Sequence, residues 1–301
     1  MPKTTANGIE IEYDCFGNTD AEAVLLISGM GTQMIRWSET FCKILANQGF
    51  HVIRFDNRDA GLSTHFDSAS MPDFAAIVEA VSRGETPHVP YTLFDMANDA
   101  VGLLDSLMIK RAHLVGRSMG GMIAQLVASE HAERVLSLAS IMSSTGNRDL
   151  PQASPAVMAA MTSPAPHPLK DEPGYLTHCV AFSQLIAGRG YPFDESAQRD
   201  QALAEVKRAY NPSGFWRQIA AIAAAGDLRS RLANITAPAL VLHGSDDPLV
   251  PPAAGEDTAA NIKGAKLLIV EGMGHDLPPS LFEFMAGAIA DNTRRMFNPA
   301  C

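Results

Sequence analysis

Three residues, distant in the chain, are of the types that nucleophilic catalysis combines: Ser118 in VGRSMGG, Asp247 in LVLHGSDDPLVPP and His275 in EGMGHD. A serine hydroxyl is a poor nucleophile by itself; it needs a base to take its proton and a third group to orient that base. GRSMG, residues 116–120, fits the pattern G-x-S-x-G. The strand-like AHLV stands directly before it and the helix-like MIAQLVASEHAE follows it. A turn between a strand and a helix can hold a serine at its apex in an unfavourable backbone conformation. Gly116, Gly120 and Gly121 would give the two backbones room to approach. The plain alternative is a strand-to-helix junction in which the serine is merely small.

The histidines that follow Ser118 are His131, His167, His178, His243 and His275. His275 comes just after the strand-like KLLIV, amid glycines that can aim a loop side chain. His131 falls on the helix that Ser118 opens and reads as a surface residue. His167 and His178 lie in an irregular region, and His243 ends the run ALVLH, where a packed or loop-bonding role suits it better. For the acid, Asp246 and Asp247 both follow a strand end, and the downstream prolines fix the path of the loop. Asp247, immediately before Pro248, is favoured, with Asp246 left to cap the turn.

Charge develops on the substrate oxygen during acyl transfer, so the site also needs N–H donors aimed at that oxygen. The amide of Met119, directly after Ser118, is one. In LLISGMGTQ, Gly29-Met30-Gly31 lets the backbone curl inward, which makes Met30 N–H the other. Gly29, Met34, Trp37, Met142, Phe182 and Trp216 are candidates for a substrate pocket, because thioether and aromatic side chains adapt to varied shapes. Met34, Trp37, Met142 and the aromatics serve equally well as ordinary core.

Elements must hold these residues in place. Residues 9–15, IEIEYDC, alternate as a half-buried strand should. The compact apolar runs 23–28, 51–56, 112–117, 136–142, 239–244 and 266–272 suit parallel strands buried on both faces. Helical periodicity occupies 94–109 and 280–295. The alternation predicts a mostly parallel, twisted sheet with helices on both faces. It breaks between about Thr145 and Leu232, where proline clusters and scattered aromatics replace strand-like runs. The expected division is a core formed by residues 1–144 and 233–301, with 145–232 inserted as a mainly helical cap.

Taken together, these motifs resemble the α/β-hydrolase superfamily across essentially the whole chain. SGMG resembles its HG-x-G oxyanion loop, with Ser28 in the usual histidine place, and DNRDAGLST resembles its D-x-R-G-x-G-x-S loop. GRSMGG resembles the nucleophile elbow, HGSDDPLVPP the acid loop and GMGHD the histidine loop. The stretch from Tyr210 to Gly244 further resembles bacterial esterases of the aclacinomycin methylesterase kind. The resemblance implies Ser118 as nucleophile, Asp247 as acid, His275 as base, and Met30 and Met119 as oxyanion donors. It implies a serine carboxylesterase acting through an acyl-enzyme, with neither metal nor organic cofactor.

The remaining 301-residue composition narrows the field. The formal net charge is −10 and no Lys/Arg-rich run occurs, which argues against nucleic acid or an anionic membrane as partner. The N-terminus lacks a signal-peptide pattern, and no apolar run is long enough to span a bilayer. Cys15, Cys42, Cys179 and Cys301 lack CxxC spacing, so a reduced, cytoplasmic setting is expected. The expected partner is a small-molecule ester, with a second copy of the chain left open. A dinucleotide-binding reading of residues 23–56 fails because Met34 stands where the third glycine of G-x-G-x-x-G should be. Other chemistry on the same triad (lactone or C–C bond hydrolysis, perhydrolysis, acyl transfer) and a ligand receptor of the same fold are the rival functions.

Overall fold

The computed structural model describes residues 1–295, so Cys301 lies outside the described residues. The first half alternates β1 (Lys3–Ala6), β2 (Ile9–Phe16), β3 (Ala23–Ile27), α1 (Glu39–Asn47), β4 (His51–Phe55), α2 (Phe74–Ser82), α3 (Leu93–Ser106), β5 (Ala112–Arg117), α4 (Met119–Glu130) and β6 (Val135–Ile141). Five helices follow without a strand: α5 (Pro155–Thr162), α6 (Glu172–Ile186), α7 (Glu195–Arg208), α8 (Pro212–Ala225) and α9 (Arg229–Leu232). The chain then returns through β7 (Ala239–Gly244), α10 (Ala253–Asn261), β8 (Lys266–Val270) and α11 (Phe282–Arg294).

The strands form one eight-stranded sheet in the order β1-β2-β4-β3-β5-β6-β7-β8. β1 and β2 pair antiparallel, as do β2 and β4, and every other pairing is parallel. Each face carries its own apolar cluster. Leu25, Ile27, Leu114 and Leu138 pack under α3 and α4, whereas Val24, Leu26, Val115 and Ile141 pack under α1 and α11. Burial on both faces explains why β3 to β7 read as unbroken apolar runs.

The sequence misjudges four details. β1, KTTA, is short and polar and carries no strand signal of its own; it exists because β2 offers an edge. KLLIV is not buried on both faces: β8 is an edge strand, and Leu267 and Ile269 are exposed. In β2 the expected alternation breaks at Glu12, which is buried and lies 3.8 Å from Arg208. α3 also stops at Ser106, short of the expected residue 109, because the chain turns at Met108 with φ 57° before entering β5.

The turn connections follow the same economy. Thr92 and Asp95 form a reciprocal capping box at the start of α3, each side chain accepting from the other's backbone N–H. At α4 the corresponding position is Ser118, whose hydroxyl does not cap the helix.

Candidate active site

β5 carries the chain to Ser118 and α4 leads it away, so the serine sits at the carboxyl edge of the sheet between β3 and β6. Its backbone, at φ 54° and ψ −127°, lies in a region that L-residues rarely occupy. Ser118 N–H donates to the Ile141 carbonyl at 2.9 Å, and Ser143 Oγ donates to the Ser118 carbonyl at 2.7 Å. Those two bonds over-determine the turn. A Cβ on Gly116 would collide with the Gly120 carbonyl, and one on Gly120 with the Ile27 carbonyl. The glycines are therefore there for close approach of strand and helix.

Asp247 follows β7 and His275 follows β8, so both project from the same edge as Ser118. His275 Nδ1 and Asp247 Oδ2 are 2.7 Å apart, with the carboxylate buried. Asp247 Oδ1 accepts the N–H groups of Leu249 and Val250 at 2.9 and 2.8 Å. Burial opposes the charge of Asp247, but His275, His243 and these amides outweigh it and hold the carboxyl down at about 2. The bond through Nδ1 leaves His275 Nε2 as the nitrogen able to take a proton. No hydrogen bond joins Ser118 Oγ to His275 in this structure.

The neighbouring acid and histidine have other duties. Asp246 accepts from Arg189 Nε at 3.2 Å. His243 is fully buried; its Nε2 lies 2.8 Å from the Val250 carbonyl and 3.5 Å from Asp247 Oδ2. It therefore braces the acid loop, as a loop-bonding histidine should. Both loops are also sewn to residues 186–190, which connect α6 to α7. His275 N–H donates to the Ile186 carbonyl at 2.8 Å, Gly190 N–H to Gly272 at 2.9 Å, and Gly188 N–H to Asp276 Oδ1 at 3.3 Å.

Met119 N–H stands at the start of α4, where intrahelical acceptors are missing and the helix dipole favours negative charge. Gly29 lies against Ser118: a Cβ added to Gly29 would be 3.2 Å from Ser118 Cβ. The loop that continues through Met30 thus borders the serine. Ser28 keeps its side chain fully buried with no hydrogen-bond partner among the described residues, while its carbonyl accepts from Asn57 Nδ2 at 2.9 Å. Asp56 accepts Met34 N–H at 2.7 Å and Leu62 N–H at 2.9 Å, and it pairs with Arg208 at 2.6 Å. Burial raises its carboxyl in spite of those partners.

The pocket candidates separate. Met34, Trp37 and Met142 are fully enclosed, and the last two belong to the apolar cluster under α1 and α11. Phe182 lines a surface cavity of about 290 Å³ with Ala160, Ser163, His178, Ala181 and Leu185. Trp216 packs edge-on to Phe74 and Phe215. Phe215, another of the aromatics between residues 145 and 232, meets the loop after β3: its ring would lie 2.9 Å from a Cβ on Gly31. Arg117 rests over the Trp37 ring at 5.8 Å and forms no ion pair among the described residues. Burial and the nearby Arg36 pull its guanidinium down to about 10.

A family profile described as alpha/beta hydrolase fold matches residues 22–279, and the chain belongs to that family. It is a hydrolase of that fold. It is 29% identical to rhodomycin D methylesterase DauP of Streptomyces sp. (strain C5), over 96% of this chain and 97% of that protein. It is 30% identical to the putative carbamate hydrolase RutD of Variovorax paradoxus (strain S110), over 88% of this chain and 89% of the other. Among solved structures, the enol-lactonase from Burkholderia xenovorans LB400 superposes with a TM-score of 0.67 at 22% identity, covering 98% of this chain and 99% of that one. The last likeness is one of fold.

Proposed function

We propose that the chain is a serine carboxylesterase whose triad is Ser118, His275 and Asp247. The observation that carries this reading is the 2.7 Å contact between His275 Nδ1 and a buried, charged Asp247, on the sheet edge that also holds Ser118 in a strained turn. The likeness to a methylesterase supports a carboxylic ester as substrate. Residues 145–232 act as the cap over this edge. The free thiols of Cys15, Cys42 and Cys179 support a reducing, cytoplasmic setting.

In the proposed reaction, Ser118 Oγ attacks the ester carbonyl as its proton passes to His275 Nε2, and Asp247 stabilises the imidazolium through Nδ1–H. The carbonyl oxygen, now anionic, accepts the N–H groups of Met30 and Met119. Collapse of the tetrahedral adduct breaks the C–O bond, and His275 gives its proton to the departing alcohol. Water then attacks the acyl-enzyme as its proton passes to His275; collapse of the second adduct releases the acid, and His275 gives that proton to Ser118 Oγ.

Short p-nitrophenyl esters provide the test. Ser118→Ala should lower kcat by about 10³-fold or more, with an unchanged far-UV circular dichroism spectrum. Retention of wild-type turnover by the folded variant would sink the mechanism. A graded ester series run beside lactones then fixes the substrate class.

A further inference from the structure

Gln218, on α8 of the cap, is completely buried, yet both ends of its amide are bonded to loops of the core. Its Oε1 accepts Gly31 N–H at 2.7 Å, and its Nε2 donates to the Arg58 carbonyl at 2.8 Å. Gly31 has φ 65°, a conformation that glycine adopts freely but does not by itself select. Something outside the loop must choose it.

The choice is made peptide by peptide. In a trans peptide the N–H points opposite to the carbonyl of the preceding residue, so holding either group aims the other. Asn57 Nδ2 holds the Ser28 carbonyl at 2.9 Å, which fixes the peptide from Ser28 to Gly29. Thr32 Oγ1 holds the Gly29 carbonyl at 2.9 Å and so sets the direction of Met30 N–H. Gln218 holds Gly31 N–H and fixes the peptide from Met30 to Gly31. Three consecutive peptides are each gripped by a different side chain, and only Gln218 comes from the cap.

We propose that Gln218 is a positioning residue for the oxyanion hole: Met30 N–H belongs to the Gly29–Met30 peptide that Thr32 holds, and by locking the next peptide, Met30–Gly31, Gln218 keeps the backbone beyond Met30 from turning that donor away from the developing charge. This rests on the assignment of Met30 as an oxyanion donor. The cap would then complete the catalytic machinery as well as cover it. Arg217, the preceding residue on α8, anchors the same helix by pairing bidentately with Asp59 at 2.7 and 2.8 Å, and its side chain forms no hydrogen bond to residues 28–32.

Gln218→Met keeps the length of the side chain and removes both hydrogen bonds. With a p-nitrophenyl ester it should lower kcat about 10- to 100-fold, somewhat less than outright loss of an oxyanion donor, with KM within about threefold. Affinity for a trifluoromethyl ketone, which Ser118 converts to a tetrahedral oxyanion, should weaken in step with kcat/KM. Gln218→Glu retains an acceptor for Gly31 N–H and should keep more kcat than the Met variant; it decides the matter if Gln218→Met does not fold. Arg217→Met measures what mere loosening of α8 costs, and should leave ketone affinity closer to wild type. A folded Gln218→Met enzyme with wild-type kcat, a loss confined to KM, or Glu and Met variants equally impaired would overturn the proposal. A wild-type protein that hydrolyses no ester would instead overturn the esterase reading.

Discussion

At the scale of single residues, Asp247 separates the ionisations that govern the site. Its carboxyl is held at about 2, so it remains charged through the working range and through mild acid. The acid limb of kcat/KM against pH should therefore carry no contribution from this carboxyl until the pH approaches about 2. The same depression makes Asp247 a source of stability above the usual carboxylate range, lost as pH falls towards about 2. Asp247→Asn should lower kcat by about 10⁴-fold, through loss of the bond that sets the imidazole tautomer. If the variant retained most of its activity, the acid would have to be sought elsewhere. The residues of the proposed triad could be picked out because each sits in a short pattern at a strand end and the three come in a recognisable order. Asn57, Thr32 and Gln218 could not. Gln218 lies 187 positions from Gly31, and an isolated glutamine on a helix carries no sign of what it will touch.

At the scale of elements, the junction of β5 with α4 stores strain in a single residue. Ser118 at φ 54° and ψ −127° costs about 1–3 kcal/mol, whereas glycine there has no Cβ to clash and forfeits only about 0.5–1 kcal/mol of unfolded-state entropy. Ser118→Gly should thus be more stable than Ser118→Ala by about 1 kcal/mol. Both should be inactive, and chemical denaturation distinguishes their stabilities. Parallel strands were read readily, because burial on both faces makes them uninterrupted apolar runs. β1 and β8 were misjudged for one shared reason: at a sheet edge the neighbouring strand, more than the local composition, decides what pairs and what remains exposed.

At the scale of the whole molecule, the helices between β6 and β7 are fastened to the sheet by buried charge. Arg217 and Asp59 are almost wholly sequestered, and Arg36 and Glu205 add a second bidentate pair at 2.6 and 2.8 Å. Removing one partner strands the other charge. Arg217→Met should cost about 3–5 kcal/mol in urea denaturation, far above the worth of an exposed pair. None of these partnerships was visible in the sequence. Glu205 on α7 and Arg217 on α8 find their partners more than 150 positions away, and the charge pattern of a helix does not identify its distant partners.

The stitching of residues 186–190 to the acid and histidine loops has a consequence for how such an enzyme can be altered. With α7 and α8 fixed to the loops that follow β3 and β4, and 186–190 fixed to the histidine loop, the stretch from about residue 150 to 185 meets the rest of the protein chiefly along α7, where Arg199 donates to Thr177 Oγ1, and at Tyr210, which packs edge-on to His167 and Tyr175. That stretch is the natural unit for exchange. A graft of the corresponding segment from another enzyme of this fold would replace α5 and most of α6 while leaving the loops of Ser118, Asp247 and His275 and their seam in place. A graft that extended past Ile186 would have to reproduce the seam glycine by glycine.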